Sequence, residues 1–260
     1  GLESDAGASG FFWLSYYDHS ITDVTAFCMV NAEASADNIY QHDYVSASEF
    51  ISPTSYNDEV KVANVFEANA PELLESVGAW TFAPNETVTT EIYLLPDDGE
   101  DILATPTFFT EEHLVSRSTR SLEDAGFHVI DLDDPIILGT GQRFALVQSV
   151  QGWAAEVMNA DSSRGGEVYY LSLELAYTQN DPQSPQSAMA EVVSNPGETY
   201  VLLFGGEWAP VSDYNDWYAD LKAQGNVPVD VIYGNALIKA YTRDTSMVDK
   251  AIIYETVKLS

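Results

Sequence analysis

The chain has 260 residues, with 41 acidic against 10 basic side chains and a formal net charge of −31. Its 45% apolar content, including 12% aromatics, is that of a globular protein able to bury a full core. A surface this acidic repels nucleic acid, whose phosphates need Lys and Arg, and it disfavours anionic membranes, so neither partner is expected.

In chain order, the opening GLESDAG has neither the basic nor the apolar region of a signal peptide. No run reaches the ~20 apolar residues of a membrane helix. Either the chain is cytoplasmic or it is a piece of a longer protein, and the second reading is favoured. Strand-like segments separated by turn residues follow: Gly10–Tyr17, Val24–Val30, Lys61–Ala68, Glu75–Phe82, Thr87–Leu95, Gly126–Leu132, Arg143–Val150, Val168–Tyr177, Ala188–Val193, Thr199–Phe204 and Ala236–Thr242. In the first, Phe12, Leu14 and Tyr16 alternate with Phe11, Trp13 and Tyr17, so both of its faces call for burial. Cys28 is the sole cysteine and sits in the apolar run AFCMV, which excludes a disulfide framework and suits a buried thiol.

The stretch Gly126–Val150 is the clearest. Ile130 and Leu132 alternate with Asp131 and Asp133, the period of a half-buried strand. Asp133-Asp134-Pro135 and Gly139-Thr140-Gly141 break the run, and the glycines suit a tight turn into a partner strand, Phe144–Val150. That strand is apolar on both faces, as one deep inside a sandwich would be. A single helix is expected near 213–224, since Tyr214, Trp217, Tyr218 and Leu221 fall at helical spacing. Ser212 or Asp213 would cap it and Gly225 would end it. The fold class is thus all-β, an antiparallel sandwich of jelly-roll type with one short helix.

Candidate chemistry is sparse. His19, His42, His113 and His128 show no metal-ligand spacing to one another or to Cys28. Asp97, Asp98, Glu100 and Asp101 crowd around Gly99, and oxygen ligands on a loop are what calcium takes; a solvated acidic surface is the competing reading. Calcium at Asp97, Asp98 and Asp101 is the only cofactor entertained. Asp131, Asp133 and Asp134 form a second acidic group, read as a strand end. A glycosidase would need two carboxylates singled out across a sugar bond, and no pair is. Trp153, Trp208, Tyr214 and Trp217, with Tyr44, are candidate sugar-stacking rings, against the alternative that each is core packing. No catalytic residue is assigned.

A resemblance adds to this. GFFWLSYYD (Gly10–Asp18) resembles the strand that follows the Asn-Ser-Trp-Gly motif of bacterial papain-like cysteine peptidases. DNIYQHDY (Asp37–Tyr44), VANVFEA (Val62–Ala68), GFHVIDLDDPIILGTGQRFALV (Gly126–Val147), NPGETYV (Asn195–Val201) and GNALIKAYT (Gly234–Thr242) look, in order, like strands of the lectin-like domain fused behind such peptidases. The resemblance implies residues 1–23 as the end of a peptidase domain, 24–243 as a lectin-like sandwich and 244–260 as an extension. It implies an extracellular or cell-surface setting, with the upstream peptidase domain as partner and a carbohydrate or cell-surface ligand in view. It does not make this chain a peptidase: Cys28 lies between Phe27 and Met29, not in the Gln-to-Trp setting of a papain nucleophile. The expected function is a non-catalytic accessory domain. The alternatives are a hydrolase acting through its own residues and a structural spacer that binds nothing.

Overall fold

The computed structural model describes residues 36–44, 59–96, 108–158, 164–178, 192–203, 207–225 and 230–245. The chain separates into two units, Gly1–Ser35 and Ala36–Ser260, and every described residue lies in the second. The expected strands Gly10–Tyr17 and Val24–Val30, Cys28 and the loop Asp97–Asp101 fall outside the described residues.

The described elements are β1 (Asn38–Tyr40), β2 (Lys61–Glu67), β3 (Glu72–Thr81), β4 (Glu86–Leu94), β5 (Leu114–Leu122), β6 (Gly126–Leu138), β7 (Arg143–Met158), β8 (Arg164–Tyr170), β9 (Leu173–Thr178), β10 (Thr199–Leu203), β11 (Glu207–Pro210), α1 (Val211–Ala223), β12 (Asp230–Ala236) and β13 (Lys239–Asp244). All pairing is antiparallel. One sheet runs β1-β13-β3-β6, a second runs β11-β10-β2-β7-β4-β5 with β8 on β7, and β9 pairs with β12. This is the all-β antiparallel sandwich with one short helix among the described residues.

Period-two burial explains the layering. Val62, Phe66, Val88, Ile92, Phe144, Leu146 and Val150 of the larger sheet meet Leu74, Val77, Ala79, Ile130, Leu138 and Ala240 of the smaller one in a single core. The alternate residues Ala63, Val65, Tyr93, Ala145, Val147 and Tyr200 are buried too, on the far face, against Phe108 and Phe109. Central strands that are apolar on both sides are therefore required, and VANVF and FALV supply them.

One expectation is corrected. β6 and β7 do not form a hairpin: β6 pairs with β3, whereas β7 pairs with β2, β4 and β8. The Gly139–Gly141 turn carries the chain from one sheet across the core to the other. It is pinned by Gly141 N–H donating to Ala68 O at 2.8 Å, with Gly141 at φ 74°. Alternation along β6 shows which residues face inward but not which sheet they join. Nor does Asp133-Asp134-Pro135 end the strand. The β3 register slips between Leu74 and Ser76, so these residues bulge away from the ladder, where Pro135 owes no hydrogen bond.

Other boundaries moved as well. The expected Val168–Tyr177 strand is split into β8 and β9, and Ala236–Thr242 into the end of β12 and β13. β5 and β11 were not anticipated, and β1 only through the family-like motif Asp37–Tyr44. β5, LVSRSTRSL, is an edge strand with no fully buried residue, so it lacks an apolar signal. The helix lies where its spacing placed it, with Tyr214 turned into the core and Gly225 at φ 78° beyond its end. Asn215 joins it to β12, donating to Tyr233 O at 2.9 Å and accepting Tyr233 N–H at 2.7 Å.

Candidate functional site

The best-built site is assembled from the two ends of the sandwich. β1 pairs with β13, with Ile39 opposite Tyr241 and Tyr40 opposite Ala240. This brings Gln41, Asp43 and Tyr44, from the first family-like motif, beside Leu237 and Lys239, from the last. The segment beyond β1 is clamped from beneath. Asn235 donates to His42 O at 3.0 Å, and the buried Glu174 carboxylate accepts Tyr44 N–H at 2.6 Å. The His42 ring stacks on Phe66 at 4.7 Å, and its Nε2 lies 2.8 Å from Val65 O. Asn235 is itself fixed by Thr199, whose hydroxyl lies 2.8 Å from Asn235 Oδ1 and 2.7 Å from Asn64 Oδ1.

The wall opposite this clamp is the outward face of the smaller sheet. Gly78 on β3 is flanked by Val129 and Lys239, and Trp80 lies opposite Phe127. The glycine has a reason: a Cβ there would stand 2.6 Å from Phe127 Cζ and 3.1 Å from Lys239 Cβ. Without it, the Phe127 ring lies down onto the sheet, 6.2 Å from the Trp80 ring. Lys239 donates to Asp43 Oδ2 at 2.6 Å and to Gln41 Oε1 at 2.8 Å, with its ammonium 5.8 Å from the Phe127 centroid. Tyr241, next along β13, has its hydroxyl pKa raised first by burial and then by the Asp43 charge.

Gln41, Asp43, Tyr44, Trp80, Phe127, Leu237 and Lys239 together line an open pocket of about 280 Å³. Tyr44 is 85% exposed at its mouth and Phe127 37% exposed, while Asp43 is only 7% exposed and leaves Oδ1 buried without a hydrogen bond. The arrangement is a fixed acid, amide and ammonium beside apolar rings. It is suited to holding a small ligand: its two oppositely charged groups are engaged with each other.

Of the rings singled out from sequence, Tyr44 lines this pocket and the others lie elsewhere. Tyr214 is 8% exposed and packs on Tyr233 at 4.7 Å, whereas Trp217, stacked on it at 5.5 Å, is 47% exposed. Trp208 is half-buried against Phe109 at 4.3 Å, on the far face of the larger sheet. Trp153 belongs to β7, opposite Glu167. The structure thus joins Tyr214 to Trp217 but brings neither to Trp208. Asp131 accepts from Ser76 at 2.9 Å and Asp133 from Arg120 at 2.6 Å. Among the described residues, no three His, Cys, Asp or Glu side chains gather as a metal site. Sequence reasoning missed Gln41, Asp43, Trp80, Phe127 and Lys239 as a group. The available signal was Gly78 inside a strand, which marks close approach of another group.

An antiparallel sandwich with a clamped sheet-face pocket is the class of protein defined so far. A family model described as Lectin like domain matches residues 39–242, and the chain belongs to that family. Two solved structures are similar. One is the clostridial cysteine protease Cwp84 after propeptide cleavage, at 16% identity and TM-score 0.47, covering 80% of this chain and 40% of that one. The other contains the cysteine protease and lectin-like domains of Cwp84, a surface layer associated protein of Clostridium difficile, at 16% identity and TM-score 0.46, covering 80% of this chain and 36% of that one. The chain therefore spans less than half the length of either protein. No curated protein matches it. Among the described residues, no helix is long and apolar enough to cross a membrane.

Proposed function

We propose that this chain is a non-catalytic accessory domain of a papain-like cysteine peptidase, working outside the cell or at its surface and holding the peptidase to a carbohydrate or other surface target. The observation that carries this reading is the Gln41–Lys239 pocket. It is formed on an exposed sheet face, and buried Glu174 and Asn235 fix its wall without reaching solvent themselves. Preformed geometry of that kind favours binding, because little ordering is left to do when the ligand arrives. The acidic chain adds long-range repulsion from anionic polymers, which narrows the targets it approaches.

The peptidase partner rests on the sequence resemblance of GFFWLSYYD and the five motifs behind it. On this reading residues 1–23 close an upstream catalytic domain, 24–243 form the lectin-like domain and 244–260 extend it. The test is retention of the labelled chain on purified bacterial cell-wall fragments, beside an unrelated protein of equal charge. Specific retention is expected, with no hydrolysis of casein by the chain alone. Equal retention of both proteins would overturn the anchoring role, and an upstream reading frame lacking Cys, His and Asn-Ser-Trp in papain order would remove the peptidase.

A further inference from the structure

The pocket's own chemistry selects among ligands. Asp43 has one carboxylate oxygen engaged by Lys239 and the other, Oδ1, buried without a donor. Oδ1 is closed off from the pocket, so a ligand meets this carboxylate at Oδ2, whose remaining lone pair can accept an O–H or N–H beside Lys239. A cationic ligand is disfavoured, because Lys239 already holds the position beside Asp43 and the Phe127 face. An anionic ligand meets Asp43 at the wall and a chain of net charge −31 around it. What remains is an uncharged molecule with hydroxyl groups and an apolar face.

The other lining groups suit the same shape. Gln41 uses Oε1 to accept from Lys239, which leaves its amide N–H groups to donate. Phe127, laid flat because residue 78 is glycine, and Trp80 beside it offer an apolar platform. The volume of about 280 Å³ is at the low end for small-ligand sites, about 300 Å³, and suits one ring with the rest of a chain leaving past exposed Tyr44. Resting on the surface-anchoring reading above, we infer that this pocket takes the terminal uncharged pyranose of a glycan. Its apolar face lies on Phe127 and Trp80, its hydroxyls donate to the Asp43 carboxylate, and they accept from Gln41.

The experiment is an array of uncharged, amine-bearing and acidic sugars, followed by saturation-transfer NMR with methyl glycosides of the hits. Uncharged terminal sugars should bind. Phe127→Ala, at a half-exposed position, and Asp43→Asn, which places an N–H donor in an acceptor's position, should each weaken binding by about tenfold. Thermal melts establish that both variants are folded, and Trp217→Ala should bind as the parent does. Binding confined to charged sugars, loss in Trp217→Ala but not in Phe127→Ala, or no sugar bound at all would overturn the assignment. If both pocket variants still adhere to cell-wall fragments like the parent, the pocket falls and the anchoring role stands. If sugars bind through the pocket while the fragments are ignored, the anchoring role falls instead.

Discussion

Glu174 accepts the backbone N–H of Tyr44 at 2.6 Å and so ties β9 to the segment that supplies the pocket's acid. The same carboxylate accepts Asn235 N–H at 3.2 Å. Glu174→Ala leaves both donors without this acceptor, at a cost of roughly 1–3 kcal/mol for each one that stays buried. A lower urea midpoint is expected, with faster amide exchange across residues 41–44. Glu174→Gln keeps one acceptor oxygen and should lose less.

Gly78→Ala should act through Phe127. The added methyl would sit 2.6 Å from the ring edge, and the half-exposed ring can swing away. The expected loss of stability is about 1 kcal/mol, of the order of a small overpacking defect. In Phe127→Ala the obstacle is gone, so Gly78→Ala should cost measurably less in that background. A double-mutant cycle by urea denaturation checks this; strict additivity would mean that the ring does not lie over the glycine.

Two buried glutamates on β4 predict opposite pH responses. Burial holds the Glu86 carboxyl above its usual pKa, only partly offset by N–H donation from Phe82 and Ala83. The native state therefore keeps a proton that the unfolded chain has released, and this residue's contribution falls as pH rises between the two values. Burial also pushes Glu91 upward, but the Arg117 hydrogen bond, the Lys61 charge and the Tyr93 hydroxyl outweigh it and leave it lowered. Its stabilisation is complete above the unfolded value and is lost as pH falls through the native one.

Glu86→Gln should therefore raise stability near about pH 7, where the wild-type side chain is most costly. Glu91→Gln should lower it there by about 1–3 kcal/mol, with the gap to wild type closing towards about pH 3. Urea midpoints across that range decide both. A Glu91→Gln deficit that does not shrink in acid would count against its ion pairs.

For the acidic loop Asp97, Asp98 and Asp101, calcium and magnesium at equal ionic strength should raise the melting temperature equally. Screening a net charge of −31 needs no dedicated site. An extra rise with calcium that disappears in Asp98→Asn would assign the ion to this loop.

The strands themselves were legible wherever burial leaves an apolar mark: KVANVFE, the stretch around Trp80 and FALV each announce their element. β5 was not, because its polar alternation is that of an edge. Sheet membership was illegible at Gly139–Gly141, since a hairpin and a crossing between sheets ask the same backbone freedom of glycine. The helix was legible, and Tyr214 and Trp217 do lie together on it. The pocket was not, because Asp43 and Lys239 are separated by 196 positions and meet only through the β1–β13 ladder. Each alone is an ordinary charged residue; only pairing makes them a site.

That ladder also sets a timetable for folding. β1 is the first of the described strands to be made, but the strand it pairs with, β13, is the last. The larger sheet has β2, β4 and β7 in hand long before, so its central ladders can close while the smaller sheet still lacks a member. Closing so distant a contact is entropically slow, and an edge left waiting is open to capture by a neighbouring chain. A nascent chain halted before residue 239 should thus hold much of the sandwich core but have no binding pocket, so recognition is the last property that synthesis of this sandwich confers.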